Sequence, residues 1–182
     1  LTERRFFAGE LDFLERAAAR CPGTPLLRKD FIFDPLQVRA TAATPAAALL
    51  LIVALTPDAA LLRRLREQAE SLGMQAVVEV CGSKDLALAR ESGARIIQVN
   101  ARDLDTLRVD RQACLELARR YPPEQGEIWI AASGMDRREH LEDAARAGFS
   151  AALVGTALMQ DGQPGAALHR LLHGREEGHH AA

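Results

Sequence analysis

The chain has 182 residues, of which 48% are hydrophobic, enough to bury a sizeable core with one domain as the expectation. A net charge of −2 with no basic block argues against nucleic acid or an anionic membrane as the main partner. No apolar run approaches the roughly 18 residues that cross a bilayer, and the start lacks a secretory pattern.

Cys21, Cys81 and Cys114 have no metal-type spacing and read as reduced thiols of a cytoplasmic protein. His179 and His180 sit in a polar tail, residues 175–182, where ligands would have no fixed scaffold, so no metal is expected there.

Residues 1–21 read as a loop followed by a helix. Apolar, strand-like runs then recur at 25–31, 48–55, 76–80, 95–100, 128–133 and 151–155. Between them lie amphipathic segments. Asp34-Pro35 marks one helix start. Thr56 and Pro57 suggest the cap and first turn of a helix running to Leu72, with Leu61, Leu62, Leu65, Ala69 and Leu72 inward and Gly73 as its stop. A further helix is expected from Asp136 to Ala147, with Leu141, Ala144 and Ala145 inward and Gly148 ending it.

This βα repeat, with near-continuous apolar strands, implies a parallel sheet covered by helices. No G-x-G-x-x-G follows any strand, so a dinucleotide fold loses ground. Polar residues at the carboxyl ends of several strands favour a TIM (β/α)8 barrel. Six strands do not close an eight-stranded barrel. The expectation is an incomplete barrel domain over 1–174, lacking about two strands at its N-terminus unless a partner chain supplies them.

Three residues and two turns at strand ends could carry chemistry. Lys29 shares strand parity with Leu27, Glu79 with Val77, and Asn100 with Ile96 and Gln98. The turns "ASGM" (132–135) and "VGT" (154–156) offer small residues and backbone N–H groups for a phosphate. Bland alternatives stand beside these. A lysine just past a strand is often solvated, Asn100 can satisfy a turn, and Gly134 and Gly155 can be ordinary turns. Trp129 reads as core and Lys84 as exposed. Yet only two of 23 basic residues are lysines, Lys29 and Lys84, and a partly buried ammonium can donate and recover a proton where guanidinium cannot. Together these residues suggest acid–base work on a phosphorylated small molecule, without naming the reaction.

The stretches "LTE" and "FFAG" (1–9), "PLLRKDFIFDPLQV" (25–38), "LLLIVALT" (49–56), "VVEV" (77–80), "IIQVNARDL" (96–104), "ASGM" (132–135) and "LVGTALM" (153–159) come in order and spacing. Together they resemble indole-3-glycerol phosphate synthase, the (β/α)8 lyase of tryptophan biosynthesis. The resemblance implies conversion of 1-(2-carboxyphenylamino)-1-deoxyribulose 5-phosphate to indole-3-glycerol phosphate, with loss of carbon dioxide and water. It implies no metal and no organic cofactor. Lys29 matches the family's general acid, Glu79 its proton-transfer carboxylate and Asn100 a polar substrate-site residue. Arg102 and Leu104 lie in the same motif. Ser133, Gly134, Gly155 and Thr156 match the phosphate turns, with threonine where the family usually has serine or glutamate. Phe31 would wall the aromatic part of the substrate. The implied protein is a monomer, or one fused to or associated with another tryptophan-pathway enzyme.

Two departures stand out. The family's first strand, with its E-x-K pattern, is absent, and the family's "ESG" reads "ASG" here, with Ala132 in place of glutamate. The second departure motivates an alternative, a catalytically impaired homologue that binds a phosphate ligand or a partner. Phosphoribosylanthranilate isomerase is a weaker reading, because that enzyme is expected to use a cysteine and aspartate pair.

Overall fold

A computed structural model describes residues 1–103 and 106–174. Among the described residues, six strands alternate with helices: β1 (Leu26–Ile32), β2 (Ala46–Ile52), β3 (Gln75–Val80), β4 (Ile96–Asn100), β5 (Ile128–Ala132) and β6 (Ala151–Leu153). The helices are α1 (Arg4–Phe7), α2 (Phe13–Arg20), α3 (Pro35–Ala42), α4 (Ala59–Ser71), α5 (Ser83–Glu91), α6 (Arg111–Arg120), α7 (Arg138–Arg146), α8 (Thr156–Met159) and α9 (Pro164–His173). The strands follow sequence order in one sheet, and β1–β2, β2–β3 and β5–β6 pair in parallel. The fold class is α/β, an incomplete (β/α)8 barrel. No described helix is long and apolar enough to cross a membrane.

The chain divides into two compact units, Leu1–Gln98 and Val99–Ala182. In the first, Leu49, Leu50 and Leu51 of β2 are fully buried, and β3 is buried from Ala76 to Val80. Strands buried on both faces need helical cover, and Val38, Leu62, Leu65, Ala69, Leu86 and Ala89 supply it. In the second unit Trp129 is fully buried, its ring 5.8 Å from that of Phe149, and Cys114, Leu115 and Ala144 pack in the same core. Burial pushes the Cys114 thiol up to about 12, so it is an inert packing group. Cys21 and Cys81 are exposed thiols.

The Asp34-Pro35 start holds. Asp34 accepts from Leu36 N at 2.7 Å, and the Gln37 side chain accepts from Asp34 N at 3.0 Å, a reciprocal capping box with proline in the first turn. The next start differs from expectation. Thr56 is fully buried and its hydroxyl donates to Ile52 O, closing a short turn, Val53–Leu55. The cap of α4 is Asp58, whose carboxylate accepts from Ala60 N and Leu61 N. A charged acceptor two residues on outcompetes the neutral hydroxyl for the free helical N–H groups. The inward stripe of α4 is correspondingly narrower. Leu72 caps the helix outside its last turn and is 46% exposed, while Gly73 takes the left-handed conformation expected, at φ 82°. On α7, Ala144 is buried but Ala145, the next residue round the same helix, is exposed, so the inward stripe is narrower than expected.

The feature that positions β1 is an ion pair. Arg28, buried, bonds Asp30 Oδ2 at 2.8 Å and Thr41 Oγ1 at 2.7 Å, and also reaches the carbonyl of Gln37. Thr2 donates its hydroxyl to Asp30 at 2.7 Å and its N–H to Lys29 O. These contacts tie the start of the chain and α3 to β1. Burial by itself would raise the Asp30 carboxyl. Hydrogen bonds from Thr2, Arg28 and Phe31 N, with the Arg28 charge, outweigh it and hold the group below the ordinary aspartate value of 3.8.

A carboxyl lowered in the folded state contributes stability above its unfolded value and loses it as pH falls through the folded one. Asp30→Asn should therefore cost about 1.5–3 kcal/mol near pH 7, the range for hydrogen bonds to charged groups. The gap between variant and parent should narrow below about pH 4. Urea unfolding across pH reads both effects, and a gap independent of pH would refute the assigned role.

Candidate functional site

Glu79 lies on β3 between Val78 and Val80 and is 1% exposed. A carboxylate in such a place is tolerable only when donors replace the lost water. Two do. Lys29 Nζ lies 3.3 Å from Glu79 Oε2, and Gln98 Nε2 on β4 donates to the same oxygen. The Lys29 side chain remains 30% exposed, so its ammonium sits between a buried counter-charge and the exterior.

The backbone explains how Lys29 reaches that face. On β1, Arg28 pairs with Leu49 but Ile32 pairs with Leu51, a register shift that spans Lys29, Asp30 and Phe31. Irregularities of this kind bend a strand and re-aim side chains. Arg28 and Asp30 face the anchoring network, and Lys29 between them faces Glu79.

Phe31 is half-buried, its ring 6.1 Å from that of Phe6 and 6.2 Å from that of Phe7. Phe6 and Phe7 are themselves 69% and 48% exposed, on a one-turn helix whose first N–H groups are capped by Glu3. The result is a small aromatic cluster beside the strand that carries Lys29.

The second unit holds its own polar cluster. Asn100 Oδ1 accepts from Ser133 Oγ at 2.7 Å and from Arg102 N at 3.0 Å. Arg102 Nη1 donates to Leu107 O. Ser133 and Gly134 are successive left-handed residues, at φ 68° and 71°. That conformation strains serine, and such strain persists only where surroundings enforce it. Gly134 has no latitude, since a Cβ would meet Val109 Cγ1 at 2.7 Å and Arg111 Cγ at 2.9 Å. Ala132, just before, is 2% exposed. Gly155 and Thr156 sit at the exposed start of the four-residue α8. Leu104 and residues 175–182, with His179 and His180, lie outside the described residues.

The structure thus brings Lys29 together with Glu79, and Asn100 with Ser133 and Arg102. Sequence reasoning missed Gln98 as the second donor to Glu79, and the Phe6–Phe7 pair as the neighbour of Phe31. The signals were present: a glutamine inside an apolar strand, and two adjacent aromatics in an otherwise aromatic-poor chain.

The indole-3-glycerol phosphate synthase family model matches residues 1–171. The indole-3-glycerol phosphate synthase of Mycobacterium ulcerans is 44% identical over 172 residues, covering 94% of this chain and 62% of the relative. That of Chloroherpeton thalassium is 44% identical over 160 residues, covering 87% and 60%. The chain therefore spans about 60% of the length of the curated relatives it matches.

Among solved structures, 3-hexulose-6-phosphate synthase superposes with a TM-score of 0.74 at 15% identity, over 90% of this chain and 79% of the other. Orotidine 5′-phosphate decarboxylase from Pyrococcus horikoshii OT3 gives 0.66 at 14%, over 90% and 79%. At such identities these two speak to the fold alone. With nearly the whole described sequence matched by one family model, the chain belongs to the indole-3-glycerol phosphate synthase family.

Proposed function

We propose that the protein converts 1-(2-carboxyphenylamino)-1-deoxyribulose 5-phosphate to indole-3-glycerol phosphate, releasing carbon dioxide and water. The observation that carries this reading is the contact between the only lysine on a described strand and a buried carboxylate, Lys29 Nζ to Glu79 Oε2 at 3.3 Å, in a chain of this family.

The chemistry asks for such a pair. Ring closure joins the carboxylate-bearing aromatic carbon to the ketone carbon of the ribulosyl chain, and the ketone oxygen takes up negative charge. An ammonium placed there can donate a proton, and its compact charge and adjustable acidity suit the task where a guanidinium would be too weak an acid. Loss of carbon dioxide restores ring electrons. The new hydroxyl then departs as water, with a proton lost from the closed ring, and Glu79 is the base assigned to that step. Glu79 can pass the ring proton to Lys29 and so to the departing hydroxyl, and the one proton that decarboxylation consumes per turnover reaches the partly exposed Lys29 from solvent.

Phe31, beside Phe6 and Phe7, suits the flat anthranilate ring. Asn100 and Arg102, with Leu104 of the same sequence motif, are assigned to the polar middle of the substrate. Ser133, Gly134, Gly155 and Thr156 are assigned to the phosphate, whose oxygens suit hydroxyls and backbone N–H groups. No step calls for a metal or an organic cofactor. The reading implies a cytoplasmic biosynthetic enzyme, working as a monomer or with another enzyme of the same pathway. A non-catalytic binding module rests on Ala132 alone and is not favoured by a 44% identity to named synthases.

In the native protein, the ribulotide should yield indole-3-glycerol phosphate, followed by indole fluorescence. Folded protein that binds the ribulotide but never forms product would reject the assignment.

Lys29→Gln keeps a donor toward Glu79 but no transferable proton. It should lower kcat by about 10²–10⁴ with little change in KM, the usual cost of a positioned acid. A kcat within a factor of a few of the parent would remove Lys29 from the mechanism. Glu79→Gln should lower kcat over a similar range, and single-turnover analysis should show a ring-closed, undehydrated species accumulating. A loss confined to ring closure would reassign Glu79.

A further inference from the structure

Gln98 has no part in the reading above, yet it is fully buried and its amide is spent on Glu79. Its orientation is forced. An ionised carboxylate can only accept, so the NH₂ end must face Glu79 and the carbonyl must face away. That carbonyl, Gln98 Oε1, is buried without a hydrogen-bond partner among the described residues. An orphaned buried acceptor is unfavourable, and native structures keep few of them. A methionine or leucine would fill the same space with no polar atom left unpaired, so packing alone does not account for a glutamine here.

The two donors to Glu79 Oε2 differ in kind. Lys29 carries a flexible stem and a partly exposed ammonium. Gln98 is enclosed on β4 and has no proton to give up. When Lys29 delivers its proton to a substrate it stops compensating the carboxylate. Gln98 does not. A fixed amide therefore keeps the Glu79 carboxylate oriented through the part of the cycle in which its ionic partner is otherwise engaged.

We propose that Gln98 is the positioning residue for Glu79, holding the carboxylate aligned while Lys29 cycles between protonation states. The proposal rests on the synthase reading for its consequence in turnover, but the contact itself is testable without turnover.

The test is a double-mutant cycle in the native protein, with Gln98→Met, Glu79→Gln and the pair. Gln98→Met should lower kcat about 10- to 100-fold, the scale of a small misplacement of a reacting group, with KM little changed. In the Glu79→Gln background the same substitution should cost nothing further, because the group it positions is gone. Thermal melting should show Gln98→Met folded and cooperative but moderately less stable than the parent, since a buried carboxylate loses one donor while an orphaned acceptor is removed as well.

A kcat unchanged in Gln98→Met overturns the proposal. So does an equal loss in both backgrounds, or collapse of the fold, since each assigns Gln98 to packing instead. Separately, the Gln98 side-chain amide protons should shift upfield in the NMR spectrum of Glu79→Gln. Absence of that shift overturns the contact even where turnover is normal. Conversely, the shift without any turnover in the parent would retain the contact and reject the synthase reading.

Discussion

A charge that cannot leave the interior organises the first unit. Glu79 sits on a strand whose residues from Ala76 to Val80 are all buried, and is itself 1% exposed. Isolated, it would neutralise or destabilise the fold by several kcal/mol. The surroundings answer with one mobile cation and one fixed amide on the same oxygen. A carboxylate so held is expensive as a structural device, because an apolar trio of like volume does as well or better. Its presence is better understood as chemistry retained inside a core than as an element of that core.

The demand propagates to β1. For Lys29 to meet Glu79, the strand must present adjacent residues to opposite sides and hold that arrangement firmly. The register shift between Arg28 and Ile32 supplies the geometry. The Arg28–Asp30 pair, tied to Thr2, Gln37 O and Thr41, supplies the anchorage. Asp30 stays ionised because three hydrogen bonds and a cation outweigh its burial. The anchoring contacts lie on one face and the Lys29–Glu79 contact on the other, so β1 is tied down without engaging the ammonium.

Much of this was legible beforehand. The alternation of apolar runs and helical stripes gave six strands within two or three residues at their ends, the largest difference being the second, expected at 48–55 and found at Ala46–Ile52, and parity singled out Lys29 and Glu79, which lie in contact. Helix starts were less legible: Thr56 and Asp58 are both good caps by residue type, and which one wins depends on how the intervening turn closes. The network around Arg28 was hidden for a different reason. Opposite charges two apart on a strand share a face, but Thr2 and Thr41 lie 26 and 13 residues from Arg28, and pairings of that range leave no local pattern. Gln98 was hidden in plain view. A glutamine in "IIQVN" looks like a sheet residue until its partner on the neighbouring strand is known. Ser133, too, carries no signature of its left-handed backbone, because strain of that kind is imposed by packing.

The contrast between neighbours on β1 shows why residue choice matters more here than charge count. With 23 basic residues and only two lysines, this chain uses arginine nearly everywhere. Arg28 illustrates the reason. Its planar fork serves Asp30, Thr41 and a carbonyl at once, with donors fixed in direction and a charge that never titrates. Those properties are liabilities one residue later. A group that is to release a proton in the proposed ring closure needs a single point charge, freedom to reorient and an acidity that surroundings can adjust. Ala132 sharpens the argument, because the glutamate usual at that place in the family is missing. Among the residues assigned to the site, Glu79 is the sole carboxylate, and Lys29 the sole titrating cation. Among the described residues the proposed acid–base chemistry falls on that one pair, so its placement, together with the amide on the same carboxylate oxygen, sets the rate that the proposal assigns to them.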